Sequence, residues 1–206
     1  YRYPNFSELY YPDQGYLRGN PRLKDEQSLN FDAGFIISPK YVSLEFSFFP
    51  NRIENQIIFV PISATTIEPV NTNKAITNGI EVGLNIDPIK QLHLEANYTW
   101  MDSKFAGGRL RLPGRPEHKL NIGVRGTIKP VILFGTLQYI GSFPSNTSNT
   151  VWISDHTAID LGATVKFSKY FFATAEVKDV TNVQIYDARG FPLPRRSYWV
   201  TLGAGI

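Results

Sequence analysis

Ile80-Glu-Val-Gly-Leu-Asn-Ile-Asp-Pro-Ile-Lys90, followed by Gln91-Leu-His-Leu-Glu-Ala-Asn-Tyr-Thr-Trp100, is the stretch from which the fold is read. Ile80, Val82, Leu84 and Ile86 alternate with Glu81, Gly83 and Asn85, and Leu92, Leu94, Ala96, Tyr98 and Trp100 alternate with His93, Glu95, Asn97 and Thr99. Successive strand side chains point to opposite faces, so this spacing predicts two strands with one apolar face each. Asp87-Pro88 is read as the tight turn between them. The apolar face ends in Tyr98 and Trp100 while the opposite face stays polar throughout. Aliphatics capped by aromatics, set against a wet face, suit the wall of a membrane barrel. From this stretch alone a half-buried soluble hairpin fits equally well.

Working outward, the same period recurs. Toward the N-terminus, Leu29, Phe31, Ala33, Phe35 and Ile37 share one face, Ser38-Pro39-Lys40 turns, and Val42, Leu44, Phe46 and Phe48 share the next. Pro50 and Asn51 interrupt that run, read here as a bulge, and Ile53 to Val60 is expected to continue it. Toward the C-terminus, Leu120, Ile122, Val124 and Ile128 alternate up to a Lys129-Pro130 turn. Val131 to Gly141 returns, with Ile132, Phe134 and Ile140 blurring the alternation. Thr157 to Phe167, Phe171 to Val177 and Tyr198 to Ile206 complete a count of about nine strands.

Connections near residues 39, 88, 129 and 169 are short, whereas 1–26, 61–73, 103–116, 143–156 and 179–195 are long and rich in Gly, Pro, Ser, Asn and Thr. Short turns on one rim and long loops on the other are the habit of outer-membrane barrels. A soluble sandwich has no reason to sort its loops this way. The expected fold is therefore all-β, a transmembrane antiparallel β-barrel. Nine strands leave the first and last running in the same direction, and lipid tolerates no open sheet edge. The chain is accordingly expected to be the C-terminal portion of a larger barrel.

Composition narrows the function. The 206 residues hold 11 Tyr, 14 Phe and no Cys, so disulfides and thiolate metal sites are excluded. A net charge of +3 with no long basic run gives nucleic-acid binding little support. No apolar run approaches the roughly 18 residues of a transmembrane helix, which leaves a strand barrel untouched. The chain opens Tyr1-Arg-Tyr-Pro with no signal peptide, as expected of a processed protein or a part of a longer one.

The ordered motifs resemble one family, the TonB-dependent outer-membrane receptors. They are Tyr1-Arg-Tyr-Pro-Asn-Phe-Ser-Glu-Leu-Tyr10 with Gly19-Asn-Pro-Arg-Leu-Lys-Asp-Glu26, Gly79-Ile80-Glu81, and Asn97-Tyr-Thr-Trp-Met-Asp-Ser103. Leu112-Pro-Gly-Arg-Pro-Glu-His-Lys-Leu120, Val180-Thr-Asn-Val-Gln-Ile-Tyr186 and Gly190-Phe-Pro-Leu-Pro-Arg195 follow. No single motif is specific; their order over residues 1–206 carries the resemblance. It implies a 22-stranded barrel with a plugged lumen, of which this chain supplies the C-terminal part, about nine strands, without the N-terminal plug, its TonB box or the earlier strands. The family usually ends on an aromatic residue, whereas this chain ends Gly205-Ile206, which implies a trimmed terminus or a weaker assembly signal. The layout is most similar to the cobalamin and siderophore receptors. No histidine lies between Tyr3 and Asn20, unlike in many haem receptors.

The resemblance implies import of a scarce nutrient, cobalamin or a ferric siderophore, across the bacterial outer membrane. The partners it implies are outer-membrane lipid and lipopolysaccharide, TonB acting through the missing plug, a small-molecule nutrient and the remainder of the barrel. A passive pore or adhesin-like barrel without a plug is the alternative, and a soluble β-sheet binding module is the third.

Ligand contacts are expected from loop aromatics, which stack on flat ligands, and loop arginines, which hold anions. The candidates are Tyr10, Tyr11, Tyr16, Arg18, Arg109, Arg111, Trp152, Arg189 and Arg196. The same residues could instead pack the loops or meet lipopolysaccharide phosphates. Arg115 and Arg125 are assigned to plug carboxylates or lumen water. No catalytic constellation is found: Asp155, His156 and Asp160 lack a nucleophile, and His93, His118 and His156 lie on separate segments without metal spacing. Neither cofactor nor metal is expected, and the chain is read as a non-enzyme.

Overall fold

The computed structural model describes residues 1–72, 74–188 and 191–204. A short helix α1 (Phe6–Tyr10) precedes strands β1 (Gln27–Asn30), β2 (Ala33–Ile37) and β3 (Val42–Glu54). A loop hairpin of β4 (Ile57–Pro61) and β5 (Ile67–Asn71) leads to β6 (Lys74–Ile89), β7 (Leu92–Phe105), β8 (His118–Ile128) and β9 (Val131–Ile140). Then come β10 (Phe143–Pro144), β11 (Trp152–Ile153), β12 (His156–Lys166), β13 (Phe171–Lys178), β14 (Tyr186–Ala188), β15 (Phe191–Pro192) and β16 (Ser197–Ala204). The main sheet is an antiparallel meander in the order β1-β3-β6-β7-β8-β9-β12-β13-β16, with β2 also on β3. The small hairpins β4-β5, β10-β11 and β14-β15 all lie in long loops, on the rim opposite the short turns.

β1 and β2 keep one register against β3, from Gln27↔Glu54 to Ile37↔Leu44, so they are one strand interrupted at Phe31-Asp32. Pro50 faces this interruption: its carbonyl accepts from the Phe31 N–H at 3.1 Å. Having no N–H, it cannot return the bond. The sheet therefore has nine strands as read from the sequence. The expected bulge at Pro50-Asn51 is absent, because Pro50 pairs with Asn78 without a register shift. The expected continuation through Val60 is also corrected. Asn55, at φ 55°, turns the chain out, and Ile57–Pro61 pairs with Ile67–Asn71 in the loop.

A third correction concerns Asp87-Pro88. β6 runs on to Ile89, and the turn is Lys90-Gln91, because the pairing shifts from Ile86↔Leu94 to Ile89↔Leu92. One extra residue in β6 makes a bulge there, which absorbs the proline at a strand end.

Burial is inverted relative to a soluble sheet. Cross-strand rows such as Phe35, Phe46, Val82, Tyr98, Leu120 and Tyr139 form an apolar face. Among the described residues nothing covers that face: Leu133 is 53% exposed, Val200 76% and Leu202 78%. The buried apolar residues, including Ile57, Ala75, Leu112, Phe143 and Ile153, sit instead at the long-loop end. A sheet whose broadest apolar face lies open needs another apolar phase against it, and a soluble module does not supply one. Tyr98 and Trp100 at one level and Tyr41, Phe167 and Phe171 at the other stand where barrel girdles stand. β6 has 16 residues. At about 3.3 Å per residue and a tilt near 45°, it outreaches an apolar band of roughly 25 Å. Its first residues therefore project above the band and form a base for the loops.

The opposite face carries Glu45, Asn97, Asn121 and Gln138 in one row and Asn85, Glu95, Thr136 and Asp160 in the next. Three phenylalanines interrupt this polarity, and each lies over its paired glycine. A Cβ on Gly79, Gly162 or Gly203 would meet the ring of Phe49, Phe134 or Phe172 at 2.1–2.2 Å. The ring takes the space a side chain would fill and shields the glycine backbone, the cross-strand device of aromatic rescue. Phe134 thus explains one break in the alternation of β9.

Candidate functional site

The long loops fold onto one another in two groups. In the first, residues 1–26 pack on the β4-β5 hairpin. Asn5 caps α1 by accepting the Glu8 N–H at 2.8 Å, and Glu8 returns a bond to the Asn5 N–H at 2.8 Å, a reciprocal capping box. Arg2 bridges buried Glu8 at 3.1 Å and Glu26 at 2.6 Å. Glu26 also accepts the Ile57 N–H at 2.6 Å, which ties the segment to β4. Partial burial of Glu26 opposes ionisation, but Arg2 and the Ile57 N–H outweigh it and hold the carboxyl below its ordinary value. At Gly19 a Cβ would meet the Tyr11 backbone nitrogen at 2.5 Å, so only glycine lets the chain cross α1's end so closely.

Four of the expected contact residues stand in this first group. Tyr10 is 55% exposed and tilts against Phe6 at 5.2 Å between ring centroids. The Tyr11 and Tyr16 hydroxyls meet at 3.3 Å, which raises the Tyr11 pKa, and Tyr16 also donates to Gln14. Arg18 reaches the buried Glu68 carboxylate at 2.5 Å, 50 residues away. Its guanidinium thus fastens the segment to β5.

The second group joins the third, fourth and fifth loops. Asn149 pairs with the Arg111 backbone through both ends of its amide, at 2.7 and 2.9 Å, and Gly114 donates to the Pro144 carbonyl at 2.9 Å. The Arg111 guanidinium forms an ion pair with Glu117. That bond holds the Glu117 carboxyl below its ordinary range despite slight burial. Trp152 is 46% exposed and donates from Nε1 to the Asn149 carbonyl at 2.8 Å, which fixes its ring plane. Arg196 donates to the Val180 carbonyl, and its backbone N–H reaches Asn182 at 3.3 Å. Arg109 is exposed at the tip of the third loop and forms no ion pair or side-chain hydrogen bond among the described residues. Arg189 lies outside the described residues, as do Gly205 and Ile206.

Between the fourth and fifth loops is a cavity of about 470 Å³, lined by Trp152, Asp155, His156, Val183, Gln184 and Tyr186 among others. His156 and Tyr186 also line a second cavity of about 210 Å³ with Lys119, Gln138, Phe143 and Leu193. Gln138 continues into a third, about 270 Å³, along the polar wall of Glu95, Asn97, Asn121 and Asp160. The three form a stepped track from the loops to the inner wall. Of the sequence candidates among the described residues, only Trp152 lines it. Asp155 and His156 enter the sequence reading with Asp160 as an acid and base without a nucleophile, His156 also as a histidine without metal spacing, and Tyr186 within a family motif. The available signal was parity, since His156 opens β12 on its polar face, paired with Ile140.

No group of three or more His, Asp or Glu suited to a metal occurs among the described residues. The track offers aromatic side chains, the carboxylates of Asp155, Glu95 and Asp160, the Lys119 ammonium, the His156 imidazole and several amides, groups able to stack on and hydrogen-bond a small molecule.

The family model described as TonB dependent receptor-like, beta-barrel, matches residues 1–183. The vitamin B12 transporter BtuB of Photobacterium profundum is 22% identical over 205 residues, covering 98% of this chain and 33% of that protein. The iron-regulated outer membrane virulence protein of Vibrio cholerae is 25% identical over 210 residues, covering 91% and 32%. The crystal structure of the siderophore receptor PirA from Pseudomonas aeruginosa superposes with a TM-score of 0.74 at 19% identity, over 99% of this chain and 35% of that one. The chain spans about a third of the length of these relatives.

Proposed function

The chain belongs to the TonB-dependent receptor β-barrel family, and on that premise we propose that it serves an outer-membrane receptor importing a scarce nutrient. It supplies about nine strands of wall and the loops that capture the ligand, a cobalamin or a ferric siderophore, as the C-terminal part of a larger barrel. The plug, the TonB contact and the remaining strands are assigned to the rest of that receptor. Relatives named for vitamin B12 and for siderophore support the nutrient class.

The observation that carries this reading is the stepped track. Trp152 lines its loop-side cavity, His156 and Tyr186 line both that cavity and the next, and amide and carboxylate side chains line the wall beyond. Trp152 and Tyr186 stack on the ligand, and exposed Arg109 together with Tyr10 and Tyr16 makes the first contact. Arg18 and Arg111 position loops through Glu68 and Glu117 rather than meeting ligand. The same polar inner face then lies against the plug, whose movement by TonB opens the path.

The test is ligand titration of the complete detergent-purified receptor, read by tryptophan fluorescence, with cyanocobalamin and ferric enterobactin as probes. Saturable binding of one probe, weakened about tenfold or more by Trp152→Ala, is expected. Cells carrying the receptor should accumulate that probe, and collapsing the proton gradient should stop uptake without abolishing surface binding. Failure of both probes to bind, or uptake indifferent to the gradient, would overturn the proposal.

A further inference from the structure

A dent occurs on the uncovered apolar face, far from the loops. Gly126 on β8 and Gly135 on β9 both point outward in register with leucines, Gly126 between Leu92 and Leu133, and Gly135 between Val124 and Leu161. Two missing side chains at diagonal positions leave an apolar groove of about 470 Å³. A Cβ on Gly126 would meet nothing within 4 Å, and one on Gly135 would meet only the Leu161 Cδ2 closely, at 2.9 Å. The groove is therefore open space at Gly126, while at Gly135 the Leu161 side chain leans over the glycine and forms one wall of it.

Charge at the adjacent rim is one-sided. Each of the four short turns carries one lysine: Lys40, Lys90, Lys129 and Lys169. Lys40 and Lys169 lie over the rings of Tyr41 and Tyr170, at 4.9 and 4.6 Å. Lys90 and Lys129 are exposed and have no ring, ion-pair or hydrogen-bond partner among the described residues. Among the described residues Asp87, three positions before Lys90, turns its carboxylate to the His93 Nδ1 at 2.8 Å rather than to either lysine. Lys129 stands three residues beyond Gly126, about 10 Å along the strand, and the turns of Lys90 and Lys129 are about two strand spacings apart, near 10 Å. The Thr127 N–H, bonded to the Gln91 carbonyl at 2.7 Å, fixes one turn against the other.

The geometry points to a specific site for an anionic phospholipid of the inner leaflet, with one acyl chain in the Gly126–Gly135 groove and its phosphate between Lys90 and Lys129. A groove alone accepts any chain; two unneutralised ammonium groups above it select a phosphate with net negative charge. The inference rests on the membrane-wall part of the function proposed above and not on the imported nutrient, so failure of nutrient binding leaves it standing.

The test uses the complete receptor, delipidated in neutral detergent and titrated with cardiolipin, phosphatidylglycerol or phosphatidylcholine. Bound lipid is counted by native mass spectrometry and the thermal midpoint is followed in parallel. One tightly held cardiolipin or phosphatidylglycerol, with a raised midpoint and no equal effect of phosphatidylcholine, is expected. Lys90→Gln with Lys129→Gln should weaken that binding about tenfold while leaving the midpoint of the lipid-free protein unchanged. Gly126→Leu, which fills the groove from open space, should remove the bound lipid with both lysines still present. Equal binding of phosphatidylcholine, binding indifferent to both variants, or displacement of the phospholipid by lipid A at equal concentration would overturn the assignment.

Discussion

Asn149 engages both backbone groups of Arg111, accepting its N–H at 2.7 Å and donating to its carbonyl at 2.9 Å, so that one side chain substitutes for a paired strand across 38 residues. Asn149 itself sits at φ 54°, a left-handed conformation that asparagine tolerates better than most residues. Its own carbonyl receives the Trp152 indole N–H, so the contact also sets the mouth of the cavity. Asn149→Ala loses the two bonds and adds backbone strain, and should destabilise the joined loops by about 1–3 kcal/mol. Asn149→Gly keeps the conformation and should cost less. Hydrogen exchange at the Arg111 amide reads both: protection should fall in each variant, and an unchanged rate in Asn149→Gly would refute the pairing.

The Phe134 ring over Gly162 makes a second prediction. Gly162→Val places a branched side chain where the ring lies, with a Cβ-to-ring distance of 2.2 Å, so the ring must leave. A loss of about 1–3 kcal/mol is expected. Phe134→Ala should destabilise as well, but the double variant should fall short of the sum because the clash is gone. Chemical denaturation of the complete receptor in detergent supplies the cycle; strict additivity would show that ring and glycine do not interact.

Acid should loosen the third loop through Glu117. Arg111 lowers the Glu117 pKa in the folded protein. The ionised carboxylate therefore contributes stability that is fully present above the unfolded value of about 4.3. This contribution disappears as pH falls through the depressed folded value. Protease cleavage between residues 106 and 117 should be flat from pH 7 to 5 and rise only below about pH 4. Glu117→Gln should raise cleavage at neutral pH and remove the acid step. A step near pH 6 would assign the effect to another group.

Arg18 and Arg109 should separate cleanly. Arg18 is half exposed but its partner Glu68 is buried, so Arg18→Gln strands a carboxylate and should cost about 1–2 kcal/mol locally. Segment 1–26 should then become sensitive to protease. Arg109→Gln should leave that segment resistant and weaken ligand binding instead. Equal behaviour of the two variants in both assays would remove the distinction between a loop fastener and a ligand contact.

Much of the wall was legible because strand periodicity is local. Alternation from Leu29 to Ile37, Ile80 to Ile86 and Thr157 to Phe167 needs no distant partner to be read, and it returned the nine strands, their faces and the sorted rims. Even so, strand ends escaped it. Asp87-Pro88 carries turn chemistry, yet pairing with Leu92 and Leu94 draws it into a bulge. Ile57 to Val60 has strand chemistry, yet its partner is the loop segment Ile67–Asn71 rather than the wall.

The sequence by itself determined an all-β chain, polar on one face and apolar on the other, because a side chain's face depends only on its neighbours' spacing. The tertiary structure alone decided which loop residues remain free. Arg18 meets Glu68, Asn149 meets Arg111, and His156 joins Tyr186 along the track, each across at least 30 residues of chain. Such contacts depend on how loops of irregular backbone are brought together, and no periodicity records that.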